Sequence, residues 1–145
     1  MLRQFLVGAA VSIGNIAIHA LVMAVVVRAA RGADARNRQR GSLRLIAIMI
    51  ATVSVLMAAH VAEVITWSLA YAMVDAAAAG ADLVYFAFVN YTTLGYGDVF
   101  PVERWRLLGP MTAMNGVLLF GWSTAVIFEV LRRTMRDGSW PQPAG

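Results

Sequence analysis

Phe5 to Val27 is a run of 23 residues without one charged side chain. At ~1.5 Å per residue, a helix of that length covers a hydrocarbon core about 30 Å thick. Two further runs of spanning length follow: Leu45–Val74, interrupted by His60 and Glu63, and Leu107–Leu131, interrupted by Glu129. No other feature constrains the chain as strongly. A bilayer core offers no water to backbone N–H and C=O groups, so each run must be a helix that satisfies its own. Composition excludes a soluble globule: 60% of the 145 residues are hydrophobic and 14% charged, against roughly 45–50% and 25% in soluble domains. The sequence therefore predicts an all-α membrane protein.

Charge placement sets the expected orientation. The segment 28–44, "RAARGADARNRQRGSLR", is a basic connector, and Arg132, Arg133 and Arg136 follow the third run. Positive charge stays cytoplasmic, so both regions are expected inside, with the N-terminus outside and the short 134–145 tail cytoplasmic. Connector arginines then reach anionic lipid headgroups, each contributing ~1 kcal/mol. They do not make a voltage sensor, because only Arg28 and Arg31 keep a three-residue spacing and the rest of the connector is too polar to insert. The net charge of +4 sits beside apolar segments, which points to a membrane and not to nucleic acid. All twelve basic residues are arginine, alanine is abundant, and this bias suits a GC-rich bacterial genome. With no cysteine, disulfides and thiolate metal sites are excluded. The first run is followed by Arg28 and Arg31 and not by a small-residue cleavage site, so it is expected to be retained as a helix over 1–27. Asn15 and His19 lie four residues apart on one face of that helix, and Gly8 and Ser12 extend the face, a pattern suited to helix–helix packing.

Between the second and third runs lies "LVYFAFVNY", apolar but too short to span. It predicts a re-entrant helix over 82–91. "TTLGYGD", Thr92 to Asp98, follows it. Irregular backbone at membrane depth is tolerated only where it is buried in protein or lines a watery path. Gly95 and Gly97 reach positive φ at little cost. Alternated with Leu94 and Tyr96, they let successive carbonyls point one way. The Thr93 hydroxyl extends that column, and Asp98 adds negative potential at its outer end.

"TTLGYGD" resembles the potassium-channel signature, whose commonest form has valine at the position of Leu94. "LVYFAFVNY" is similar to that family's pore helix, and "NGVLLFG" carries Gly116 and Gly121 spaced as in many inner helices. "FGWSTA", Phe120 to Ala125, adds a likeness to small bacterial ion channels with an extra N-terminal helix. The resemblance implies a pore domain over 45–133: outer helix 45–74, pore helix 82–91, filter 92–98, inner helix 107–131. It implies ion sites at the carbonyls of Thr93, Leu94, Gly95 and Tyr96 with the Thr93 hydroxyl, within a filter formed by Thr92 through Asp98. Gly116 matches a hinge glycine, with Val117, Phe120, Gly121, Thr124 and Phe128 as pore-lining or gating positions. A ring of carbonyls around an ion needs four copies, so a homotetramer is expected. The implied function is passive K+ conduction across the cell membrane, with no reaction catalysed and no cofactor beyond the permeant ion. The competing readings are a weakly selective cation channel and a non-conducting scaffold subunit that kept the pore fold.

Two positions depart from the family pattern. Asn90 stands where threonine or serine is usual. Phe86 stands where many relatives have a tryptophan bonded to the filter aspartate, so Asp98 needs another partner. Other residues stay open to two readings. His60 and Glu63, one turn apart within the membrane, are either a pH sensor or a packing contact to the pore helix or first helix. With His19 they lack a metalloprotease pattern, and no catalytic metal site is expected. Glu129 either concentrates cations at the inner entrance or pairs with Arg132 or Arg133. Gly116 is either a hinge or a close-packing site.

Overall fold

The computed structural model describes residues 1–34 and 41–135. Four α-helices account for most of it: α1 (Leu2–Asp34), α2 (Gly41–Val74), α3 (Leu83–Tyr91) and α4 (Leu108–Thr134), with one 3-10 turn at Glu103–Trp105. Among the described residues, three stretches are long and apolar enough to cross a membrane: Leu2–Ala29, Leu45–Val74 and Glu103–Thr134. The short α3 lies between the second and third of them. This is the all-α arrangement expected from the apolar runs, with the extra N-terminal helix in place.

The helices outlast the apolar runs that announce them. α1 continues past Val27 to Asp34, and α2 begins at Gly41 instead of Leu45. Alanine and arginine are good helix formers, so helicity does not stop where apolarity does. Both ends of the expected 28–44 connector are therefore helical. Arg36, Arg38 and Arg40 of that connector, and Arg136 with the rest of the tail, lie outside the described residues.

Local chemistry sets the other boundaries. α2 closes with Asp75 in the left-handed region (φ 51°) and the Ala76 N–H on the Tyr71 carbonyl at 2.9 Å. That is a Schellman-type ending with aspartate where glycine is commoner. Asp82 caps α3, its carboxylate accepting from the N–H groups of Val84 and Tyr85, both at 3.0 Å. Pro110 falls in the first turn of α4, where no intrahelical donor is lost. The Leu107 N–H at that end donates to Gln4 Oε1 of α1 at 2.8 Å. The loop after α2 is clasped by the chain beyond Asp98, with the Val102 N–H on the Ala76 carbonyl at 2.8 Å.

α1 packs on α2 and α4 of its own chain, and α3 is wedged between α2 and α4. Two apolar clusters form. One gathers Val64, Trp67 and Tyr71 of α2, Phe86, Ala87 and Tyr91 of α3, and Leu108 of α4. The other gathers Met23 and Val26 of α1, Leu56 of α2, and Val126 and Val130 of α4. In sequence along the helices, buried polar residues fall between them: Asn15 and His19, His60 and Glu63, Asn115 and Ser123.

Candidate functional site

The chain turns back on itself directly after α3. The Thr92 N–H and hydroxyl both bond the Phe88 carbonyl (2.9 and 2.7 Å), which ends the helix. The Thr93 N–H then reaches the Asn90 carbonyl, and the Leu94 N–H the Val89 carbonyl, each at 3.0 Å. Positive φ falls on every second residue beyond: Thr93 at 60°, Gly95 at 60° and Gly97 at 74°. Glycine adopts that region freely, but a β-branched threonine there is an outlier. All seven residues from Thr92 to Asp98 are exposed on the single chain.

Asp98 has the partner that Phe86 cannot supply. The Tyr85 hydroxyl donates to Asp98 Oδ2 at 2.6 Å. Phe86 is buried instead against Tyr71, ring centroids 5.1 Å apart. Successive helical residues point ~100° apart, so the one-position offset decides which ring reaches the loop. The bond holds the Asp98 carboxyl below the usual carboxylate range, and it is the main reason that the Tyr85 hydroxyl is pushed up to about 12. Sequence reasoning passed over Tyr85, although a phenol beside Phe86 was the available signal.

The root of the loop is anchored on three sides. Asn90 Nδ2 donates to the Tyr71 hydroxyl (3.4 Å), which in turn meets Thr112 Oγ1 of α4 at 2.6 Å. Gly109 of α4 gives Asn90 room, since a Cβ there would come within 3.3 Å of Asn90 Oδ1. The Tyr91 backbone carbonyl presses on Gly116, and its hydroxyl donates to Glu63 Oε2.

Glu63 is fully buried and stands at the centre of a polar cluster. His19 Nδ1 of α1 lies 2.7 Å from Oε1, and His60 Nδ1 lies 3.0 Å from Oε2. The other nitrogens of both imidazoles meet Ser123 Oγ of α4, at 2.9 Å from His60 and 3.3 Å from His19. Glu63 thus contacts both α1, through His19, and α3, through Tyr91. Beside it, Asn115 Oδ1 accepts from Trp67 Nε1 (3.0 Å) and Asn15 Nδ2 (3.1 Å). Tyr91, Ser123, Asn115 and Trp67 were not singled out as partners from sequence. The signal available was that Asn115 and Ser123 lie eight positions apart, on one face of α4.

The inner-helix positions divide. Val117, Gly121, Thr124 and Phe128 are exposed along one stripe of α4. Phe120 lies at its margin, its ring 4.6 Å from that of His60 and 5.3 Å from that of Tyr91. Gly116 lies off that stripe, on the buried side under Tyr91. Glu129 pairs with both following arginines: with Arg132 at 2.6 Å and with Arg133 through Nε.

The sequence pattern of the family described as "Ion channel" matches residues 59–133. That span holds the end of α2, all of α3, the loop and α4. No curated protein and no solved structure matches the chain.

Proposed function

The chain belongs to the ion channel family, and on that premise we propose that it conducts K+ passively through a filter built by four copies around one axis. It is a multi-pass membrane protein with three helices of spanning length. The observation that carries the potassium reading is the alternation of positive φ at Thr93, Gly95 and Gly97. A strand turns successive carbonyls to opposite sides, whereas alternating handedness brings them to one side. Carbonyls of Thr93, Leu94, Gly95 and Tyr96, with the Thr93 hydroxyl, then replace the water of a dehydrated ion.

Exposure on the single chain supports the fourfold assembly. The loop and the stripe Val117, Gly121, Thr124 and Phe128 have no cover of their own. In a tetramer they converge on the axis, with Phe128 placed to form an apolar constriction near the inner end. The α3 helix ends at the loop, so its carbonyl end adds negative potential where a cation dehydrates. Asp98 extends that potential at the outer mouth. The orientation follows the arginines: Arg132 and Arg133 inside, the N-terminus outside, in the cell membrane. The reaction is permeation alone, and no bond is made or broken.

Purified protein in liposomes tests this reading. Under opposed K+ and Na+ gradients, the expected reversal potential lies near that of K+, and the native mass in mild detergent is that of four chains. A reversal potential near zero would point to a weakly selective cation channel. No flux at any voltage would point to a scaffold subunit.

A further inference from the structure

His19 and His60 are the only two histidines of the chain. They come from different helices, yet their ring centroids lie 5.3 Å apart. Both present Nδ1 to the Glu63 carboxylate, at 2.7 and 3.0 Å. Both present Nε2 to Ser123 Oγ, at 3.3 and 2.9 Å. The Tyr91 hydroxyl completes the near side, bonded to Glu63 Oε2 and 2.9 Å from His60 Nδ1. Ligand atoms of His19, His60 and Glu63 all fall within 4.8 Å of one another, and all three residues are buried.

A count of protons asks what belongs at the centre. A neutral imidazole carries one N–H. If both Nδ1 atoms carry it and donate to Glu63, both Nε2 atoms are bare. Ser123 then has one hydroxyl proton for two buried acceptors, and one nitrogen goes unsatisfied, which is destabilising. If both Nε2 atoms carry the proton, Ser123 Oγ accepts both with its two lone pairs. The two Nδ1 lone pairs then face the carboxylate, and a cation at that point satisfies all three groups at once; the ion-free alternative is a mixed pair, one ring protonated at Nδ1 and the other at Nε2.

We propose that His19 Nδ1, His60 Nδ1, the Glu63 carboxylate and the Tyr91 hydroxyl oxygen form a closed four-coordinate site for a first-row divalent transition metal, with Zn2+ the best fit. Two imidazoles and two oxygens suit zinc in a tetrahedral site. Metal-bound histidines hold their second N–H on an oxygen, the place Ser123 takes here. Bond lengths of about 2.0–2.2 Å put tetrahedral ligand atoms ~3.3 Å apart. The two histidine nitrogens must therefore draw back from Glu63 by roughly 0.3–0.6 Å and the Tyr91 oxygen by more, and the broad terminal torsion of Glu63 helps them do so. The ion enters as the protons shared among these groups leave. Glu63 supplies one negative charge and Tyr91, without its proton, a second. The loaded site is then neutral, as burial within a membrane favours.

The site joins α1, α2 and the last residue of α3, while Ser123 adds α4. An ion there fixes the extra helix to the root of the filter loop. The inference does not depend on which ion the pore conducts. The test uses the full chain without a histidine tag in lipid nanodiscs, stripped with chelator and dialysed against ZnCl2 or CoCl2. Background is low, because the chain has no cysteine and no other histidine. One zinc per chain is expected by elemental analysis, and Co2+ should give the intense visible bands of four-coordinate geometry. Ser123→Ala keeps all four ligands and should weaken affinity about 10–100-fold. His60→Gln should lose the ion. If that variant does not assemble, the wild-type stoichiometry, the cobalt spectrum and Ser123→Ala still decide. No zinc above buffer, an octahedral cobalt spectrum, equal zinc in His60→Gln, or a cluster that holds only a proton on one imidazole would each overturn the proposal.

Discussion

The backbone carbonyl of Tyr91 occupies the space that a side chain on Gly116 would need: its oxygen is in clash range of an added Cβ, and its carbon stands 3.0 Å away. The obstacle is main chain, so it cannot swing aside as a long side chain would. Tyr91 is also the last residue of α3, one position before the loop. α4 therefore meets the root of the 92–98 loop at this point, and the contact requires glycine whether or not α4 bends there.

Gly121 makes the contrast that separates packing from hinging, because an added Cβ there meets nothing within 4 Å. Gly116→Ala should destabilise the folded chain by about 1–3 kcal/mol through overpacking. Gly121→Ala should leave stability unchanged or raise it by up to ~1 kcal/mol, through helix propensity. Denaturant titration of both variants in the same detergent checks the pair. Equal stabilities would mean that Gly116 matters only for bending.

Asn15 and Trp67 converge on one oxygen, Asn115 Oδ1. Replacing Asn115 by leucine leaves two buried donors without that acceptor. In membranes such bonds are modest, because the unfolded chain also finds partners. A double-mutant cycle of Asn15→Leu with Asn115→Leu should give a coupling of about 0.6 kcal/mol and no more than ~1.7 kcal/mol. A coupling near zero would show that this bond adds nothing to the docking of α1, which then rests on its apolar contacts and on its bonds through Gln4 and His19.

Much of this was legible in the chain because bilayer physics leaves few choices. Run length gave three helices of spanning length, and a nine-residue apolar stretch before a glycine-punctuated loop gave the short helix α3. The helical spacing of Gly8, Asn15 and His19, seven and four residues apart, marked a face that is buried. Pairings between helices were not legible. Ser123 and Tyr91 meet His60 only because α3 and α4 cross α2 at that level, and crossings are set by packing over the whole bundle. Helix ends were missed at α1 and α2 because arginine continues a helix as readily as it ends an apolar run. The partner of Asp98 was missed because Tyr85 and Phe86 are adjacent in sequence but point in different directions.

The Tyr85–Asp98 bond gives the loop a defined pH range. Asp98 titrates lower in the folded loop than its ordinary value of ~3.9. Its contribution is therefore present above that value and lost as pH falls through the lower, folded one. Tyr85 is raised to about 12, so its contribution is present below ~10 and lost only as pH climbs through the raised value. Between those limits the hydroxyl donates and the carboxylate accepts. Tyr85→Phe removes the donor, and the Asp98 carboxyl should move up toward the ordinary carboxylate range. Carboxyl 13C NMR with labelled aspartate should record that upward movement, and acid loosening of the loop should begin at higher pH in the variant. An unmoved Asp98 would show that another group holds it.

Thr93 carries the strain in the loop. Its φ of 60° is the left-handed region, costly for a β-branched side chain. Such conformations persist where the surroundings enforce them, and they gather at functional sites. If the threonine is there for its hydroxyl, removing the side chain should relax the backbone and damage discrimination together. Thr93→Gly should be no less stable than the parent, with a relief of about 1–2 kcal/mol offsetting glycine's greater freedom in the unfolded chain. It should also shift the reversal potential under K+ and Na+ gradients toward zero. Thr93→Ser keeps an oxygen at the same place and should retain most of the K+ preference. If Thr93→Gly keeps full selectivity, the hydroxyl is no part of the ion path, and the left-handed threonine serves only to turn the chain.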